Sequence, residues 1–424
     1  MPLSKTSTDQ ALNPQQQLIS RYHLVRKDSL DICSPLSPED HCIQTCPEVS
    51  PPKWHLAHTS WFFEAFILSR QDAQYRPFHP QYDYLFNSYY ETMGNPFPRA
   101  QRGLLSRPGL DEILEYRAYV DAAMTSHIEN INPAQLESLA FLIELGLNHE
   151  QQHQELLYTD IKHILAFNPL SPAYDDKLPV PASINAQPLQ WLSRPGGIHQ
   201  IGASQNGFSY DNEGPRHSVL IRDHKIADRP VNNAEYMDFM NAGGYQDCGL
   251  WLADGWKHIN DRQWNSPLYW QFIGEQWWQM TLAGLRRVDM SAPVSHISFY
   301  EADAFARWHG SRLPEEAEWE LASLEHNSDT GNYREERYLQ PIATKGIEFF
   351  GNVWEWTSST YQPYPGFKPL QGSIGEYNGK FMCNQMVLRG GSCVSPREHL
   401  RHTYRNFFYP HERWQFTGIR LAKD

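Results

Sequence analysis

The 424-residue sequence has no long hydrophobic run. Its richest apolar stretch, Trp61 to Leu68, is eight residues long and contains Glu64, far short of the roughly 18 uncharged apolar residues that span a bilayer. The start, MPLSKTSTDQALNPQQQL, is polar and carries no apolar segment of secretory-signal length. A cytoplasmic protein without a membrane partner is expected. Basic charge is also scarce: 36 Lys and Arg stand against 49 Asp and Glu, a formal net charge of −13, and no basic cluster breaks the pattern. Such a field repels nucleic acid and anionic membranes, so small-molecule partners are expected instead. Cysteine is sparse. The six residues (Cys33, Cys42, Cys46, Cys248, Cys383, Cys393) form no C-x-x-C pair and are too few for a disulfide scaffold. Cys42 and Cys46 have a metal-compatible spacing, but free thiols in a reducing compartment are the expectation.

Aromatic residues, by contrast, are plentiful: 14 Trp, 22 Tyr and 20 Phe predict packed cores or pockets walled by rings. The chain has two textures. Up to residue 167 it reads as helical, with patterns over Gln15–Cys33, the WHLAHTSWFFEAFILS segment, Asp111–Ile128 and Ala134–Phe167. Ser50 is the expected cap of the second helix, ahead of Pro51 and Pro52, and Asn132-Pro133 opens the last. Four long helices predict an up-and-down bundle over residues 1–167. Prolines at 169, 172, 179, 181 and 188 make 168–190 a linker. From 191 to 424, short strands, recurrent Gly and Pro, and brief helices (Asn232–Asn241, Phe299–His309, Pro314–Glu325) predict an α+β domain with long loops. The whole is a multidomain α plus α/β protein, with oligomeric state left open.

Chemistry concentrates in a few places. His149 and His153 are one helical turn apart, a spacing that chelates a metal; with 19 histidines about one such pair arises by chance. Gln152 sits beside them. His58 shares a helical stripe with Trp54, Trp61, Phe62 and Ala65, directed into the bundle, while His55 lies on a neighbouring face. Bundle interiors build metal sites from inward residues on separate helices. Three imidazoles suit zinc, iron, copper or nickel alike. Tyr89 and Tyr90 offer phenols that can donate a proton. Arg99 and Arg102 can clamp a carboxylate. Asn406 with Phe407, Phe408 and Tyr409 reads as a pocket wall, and rings attract a quaternary ammonium. RLPEEAEWE, GNVWEW and RGGS read as helix-start, turn and packing residues.

Motifs in order across the second half, from Gly202 through EGPRH (213–217), PVSH (293–296), RLPEEAEWE, GNVWEW and RGGS to GIRL (418–421), resemble the formylglycine-generating-enzyme or sulfatase-modifying-factor domain, whose fold is C-type-lectin-like. That enzyme's paired C-terminal cysteines are missing: none follows Cys393. The first half resembles a DinB-like bundle. Together they resemble the iron(II)-dependent sulfoxide synthases of ergothioneine biosynthesis. The resemblance implies iron(II) held by His58 of a Leu-Ala-His motif and by His149 and His153 of H-x3-H-x-E, with Glu155 completing it. It implies oxidative C–S bond formation between hercynine (trimethylhistidine) and a thiol, with O2 consumed and a sulfoxide formed. Gln152 and Asn406 would hold the imidazole, and Tyr89 or Tyr90 would be the proton donor. Members that use γ-glutamylcysteine carry an acid and an arginine where this chain has Phe408 and Glu412, so free cysteine is expected, with Arg99 for its carboxylate. A selenosugar-using branch (selenoneine synthesis) and a zinc-dependent thiol transferase joined to a lectin-like module are the alternatives.

Overall fold

The computed structural model describes residues 13–424 apart from Ser183, Asn185, Ala186 and Gln205. The polar first twelve residues and those three linker positions therefore lie outside the described residues.

Four long helices build the first domain. We label them α1 (Pro14–Cys33), α2 (Pro52–Phe63), α3 (Leu110–Asn130) and α4 (Pro133–Ala166). Asn13 closes α1 with a capping box to Gln16, and Asn132 caps α4 through the Ala134 amide. Ser50 does not cap α2. The cap position is Pro51, without a side-chain bond. Ser50 is drawn elsewhere: its N–H donates to Asp160 (2.8 Å) and its hydroxyl accepts from Arg102 (3.0 Å). Nor does α2 run on as an α-helix to Ser69. It passes at Glu64–Leu68 into a π turn, where the buried Glu64 accepts from Tyr75, Tyr116 and the Phe78 amide.

Every residue of α2 is buried, so it is the central helix, packed against α3 and α4. Closeness to α4 depends on Gly146, where a Cβ would sit 2.6 Å from the Phe63 ring. Glu150 anchors the bundle by accepting from Arg26, Arg117 and Ser29, all buried. Among the described residues no helix is long and apolar enough to cross a membrane.

The second domain has strands from Trp191 onward. Its main sheet runs Asn406–Phe408, Met386–Arg389, Trp354–Thr360, Thr417–Ile419, the last pair parallel. Pro314 precedes its helix (Glu316–Ser323, capped by Glu315) rather than starting it. Arg312 pairs with Glu318 of that helix. The GNVWEW, RGGS and GIRL motifs meet in the core. Arg420 grips Glu355, which also accepts from Trp319, and Asn352 takes a left-handed turn (φ 56°). All six cysteines are free.

The domains dock along α4. Glu155 is not aimed at the histidine cluster. It is buried in the seam, accepting from Trp354 Nε1 and from the hydroxyls of Ser392 and Ser395.

Candidate metal centre

His58 on α2 and His149 and His153 on α4 converge, each offering a ring nitrogen, with these atoms all within 4.8 Å of one another. They are 0, 3 and 7% exposed, so water contributes little to the centre. His58 is held as a plate between indoles: Trp54 stacks on it at 4.6 Å and Trp61 at 5.5 Å. Its Nδ1 lies 2.5 Å from the Phe86 carbonyl. A carbonyl only accepts, so Nδ1 carries the hydrogen and Nε2 presents its lone pair inward. That Nε2 lies 3.2 Å from His149 Nε2.

Burial, then the neighbouring imidazole, push His58 well below the usual histidine range. Burial brings His149 down to about 4 and, with the other two histidines, holds His153 well down. Neutral imidazoles are metal donors, and three converging lone pairs without a carboxylate among them fit a divalent ion.

A cavity of about 530 Å³ opens on the His153 side, between the domains. Gln152 bridges its wall: Nε2 donates to the Tyr404 hydroxyl (2.7 Å) and Oε1 accepts from Tyr377 (3.0 Å). Asn406, Phe407 and Phe408 line the same space from the edge of the main sheet. Phe407 stacks on Tyr361 at 4.0 Å and Phe408 meets Trp414 at 5.3 Å. Tyr89 lies in this cavity too, its ring 5.3 Å from that of Tyr377. Tyr90 does not. It is buried against Trp61 and Phe66 and lines a second cavity, of about 390 Å³, on the His149 side.

Arg99 stands at the exposed rim, donating to the Glu48 carbonyl. Arg102 lies deeper. It is 3% exposed, with its guanidinium 3.4 Å over the Trp54 ring. Its side-chain partners are the hydroxyls of Ser50 and Ser88, and its Nε has none among the described residues. Burial pulls this guanidinium well below its usual range. Glu412 lines the outer cavity, and burial with the nearby Glu48 pushes it up to about 8.

Sequence reasoning missed Tyr377. Tyr377 follows the short 3-10 turn Ser373–Glu376, with no periodicity to mark it, and only docking of the two domains brings it to Gln152. Burial raises Tyr377 to about 12, whereas Tyr89 and Tyr90 are raised well above the usual range.

Fold and centre together define a two-domain protein in which a helical bundle carries a three-histidine centre closed by an α+β domain. The profile of the DinB superfamily matches residues 21–157, and that of the sulfatase-modifying factor enzyme 1-like domain matches 180–424. The chain is 30% identical over 410 residues to hercynine oxygenase of Mycolicibacterium smegmatis, covering 89% of this chain and 92% of that one. It is 28% identical over 409 residues to hercynine oxygenase of Mycobacterium tuberculosis, covering 90% and 93%. A 232-residue match at 27% joins 51% of it to 28% of ergothioneine biosynthesis protein 1 of Schizosaccharomyces pombe. The chain belongs to the hercynine oxygenase family, the sulfoxide synthases of ergothioneine biosynthesis.

Proposed function

We propose that this protein joins free cysteine to the imidazole of hercynine at an iron(II) ion held by His58, His149 and His153. One imidazole C–H, one thiol S–H and O2 become a C–S bond, an S=O group and one water. The reading rests above all on the three-histidine centre opening into a cavity with ring-lined, amide and cationic walls. Iron(II), when bound, would supply coordination sites and a redox-active centre for dioxygen, the four electrons coming from the two substrates.

The protein's residues do the rest. Gln152 and Asn406 present amides to the imidazole of hercynine, while Phe407, backed by its stacked neighbour Tyr361, offers a ring surface to the trimethylammonium group. Arg102 is a desolvated cation without a carboxylate partner among the described residues, so it attracts a substrate carboxylate more strongly than the exposed Arg99 does. Glu48 lines the outer cavity as the carboxylate that favours an ammonium there, while burial beside it keeps Glu412 protonated at neutral pH. A γ-glutamyl carboxylate would meet like charge, which is why cysteine fits better than the dipeptide. Tyr377 takes the proton-donor role ahead of Tyr89 and Tyr90. Its hydroxyl already reaches Gln152, and its ring is 6.2 Å from that of His149.

The test is anaerobic loading with iron(II), then oxygen uptake and product mass with hercynine plus cysteine, γ-glutamylcysteine or a selenosugar. Coupled uptake with cysteine and a sulfoxide product is expected. Faster turnover of γ-glutamylcysteine or the selenosugar would overturn the thiol assignment. Equal activity with zinc would overturn the oxygenase reading.

A further inference from the structure

His55 is a buried histidine outside the converging group of three. It lies on α2, 2% exposed, three residues before His58. Its Nδ1 is 2.8 Å from His153 Nδ1, and its Nε2 is 3.0 Å from Asp160 Oδ2. Asp160 is 1% exposed and fully engaged. Its Oδ2 also accepts the Ser50 N–H at 2.8 Å, and its Oδ1 accepts Trp414 Nε1–H from the other domain at 3.1 Å.

These contacts fix hydrogen positions in sequence. An amide N–H and an indole N–H only donate, so both Asp160 oxygens are acceptors. Asp160 therefore takes the Nε2 hydrogen of His55. With that as the ring's one hydrogen, His55 Nδ1 keeps a lone pair, which can only accept. His153 must supply the hydrogen from its own Nδ1. That leaves His153 Nε2 bare, the nitrogen free to join the group of three.

We propose that His55 is a positioning residue, and that the relay Trp414–Asp160–His55–His153 locks His153 in its metal-binding tautomer and ring orientation. It rests on the reading that His153 binds the metal. The relay also starts in the second domain, at Trp414, so docking of that domain bears on a ligand carried by the first. The same logic answers why two histidines stand three residues apart on α2: His58 would hold the metal directly and His55 would hold a ligand.

The test uses two near-isosteric variants of the full chain. In His55→Asn the side-chain oxygen can still accept from His153 Nδ1–H, whereas in His55→Leu nothing can. Both lose the contact with Asp160, so their difference isolates the bond to His153. Cobalt(II) titration of the metal-free protein, with a competing chelator, reads affinity without turnover. His55→Leu is expected to bind about 10–100-fold more weakly than wild type, with His55→Asn recovering most of that loss. Wild-type affinity in His55→Leu, or an equal loss in both variants, would overturn the relay, because a packing role treats them alike. Should the variants fold poorly, the cobalt(II) form of the wild type gives a second measurement. His153 Nδ1–H, sealed behind His55, should appear as a paramagnetically shifted, slowly exchanging proton resonance, and its absence overturns the relay. His153→Ala separates the two ideas: unchanged metal affinity there removes His153 from the centre, whatever His55 does.

Discussion

Replacing Glu348 with glutamine should stabilise the protein at pH 8 and do little at pH 4. Glu348 is buried beside Arg420, but that guanidinium is already committed to Glu355 through two hydrogen bonds. One cation thus serves two carboxyls. Burial pushes Glu348 from the usual 4.5 up to about 7. A carboxyl raised on folding costs nothing below 4.5, where both states hold the proton. As pH climbs from 4.5 to 7 the unfolded chain ionises and the folded one does not, so stability falls, and above 7 the loss is complete. The difference corresponds to about 3 kcal/mol. Glutamine avoids it. Its carbonyl can accept from Asn352 Nδ2, and its amide can donate to the Thr344 hydroxyl, the two partners Glu348 has now. Urea unfolding of wild type and Glu348→Gln, followed by tryptophan fluorescence at pH 4, 6 and 8, measures the gap. It should open by about 2–3 kcal/mol between pH 4 and 8 in favour of the variant. A gap that stays constant with pH would mean that Glu348 titrates like a solvated carboxyl, and the reasoning from one cation and two carboxyls would be wrong.

Three further outcomes follow from the site and its supports. Tyr377→Phe should lower sulfoxide formation about 100-fold or more while leaving metal affinity unchanged, and Tyr90→Phe should change the rate little, because Tyr377 lines both cavities and Tyr90 only the one on the His149 side; product-resolved kinetics with iron(II) decides between them. Gly146→Ala should destabilise the bundle by about 1–3 kcal/mol and weaken cobalt(II) binding, since the added methyl would meet Phe63 and force α2 from α4; unfolding and metal titration report both. Glu155→Ala leaves an indole N–H and two hydroxyls without their buried acceptor and should cost about 2–5 kcal/mol, read by urea unfolding, although the residue belongs to the H-x3-H-x-E pattern and not to the histidine cluster.

What the sequence reveals here depends on how local the cause is. The start of α4 could be read from Asn132-Pro133 because a cap and a proline act within one turn. Ser50 misled because its partners, Arg102 and Asp160, are 52 and 110 residues away, and neither competitor shows in the local pattern. The π turn at Glu64–Leu68 is equally silent, being set where Tyr75, Tyr116 and Phe78 converge on one carboxylate. At the centre, the His149 and His153 spacing was visible but near chance, and it gained meaning only from His58 on another helix. Tyr377 left no trace, because nothing in its own loop records that Gln152 lies opposite.

The polar residues of α4 suggest why the two folds work as one. Asn148 meets His399, Gln151 binds Glu398, Gln152 binds Tyr404 and Tyr377, Thr159 binds Gln415, and Asp160 binds Trp414. All these partners come from the second domain. In a lone bundle such a stripe would face water; here it is the docking face, buried and hydrogen-bonded. His149 and His153 are interleaved with it on the same helix, so the surface that binds the second domain and the surface that would bind the metal are fixed by one rigid element. The bundle alone can bring the three imidazoles together, but Asn406, Phe407, Tyr377 and Tyr404, which wall the cavity beside them, arrive only with docking. The division of labour is therefore spatial: the bundle supplies the metal's donors, and the second domain supplies the walls that decide what lies next to it.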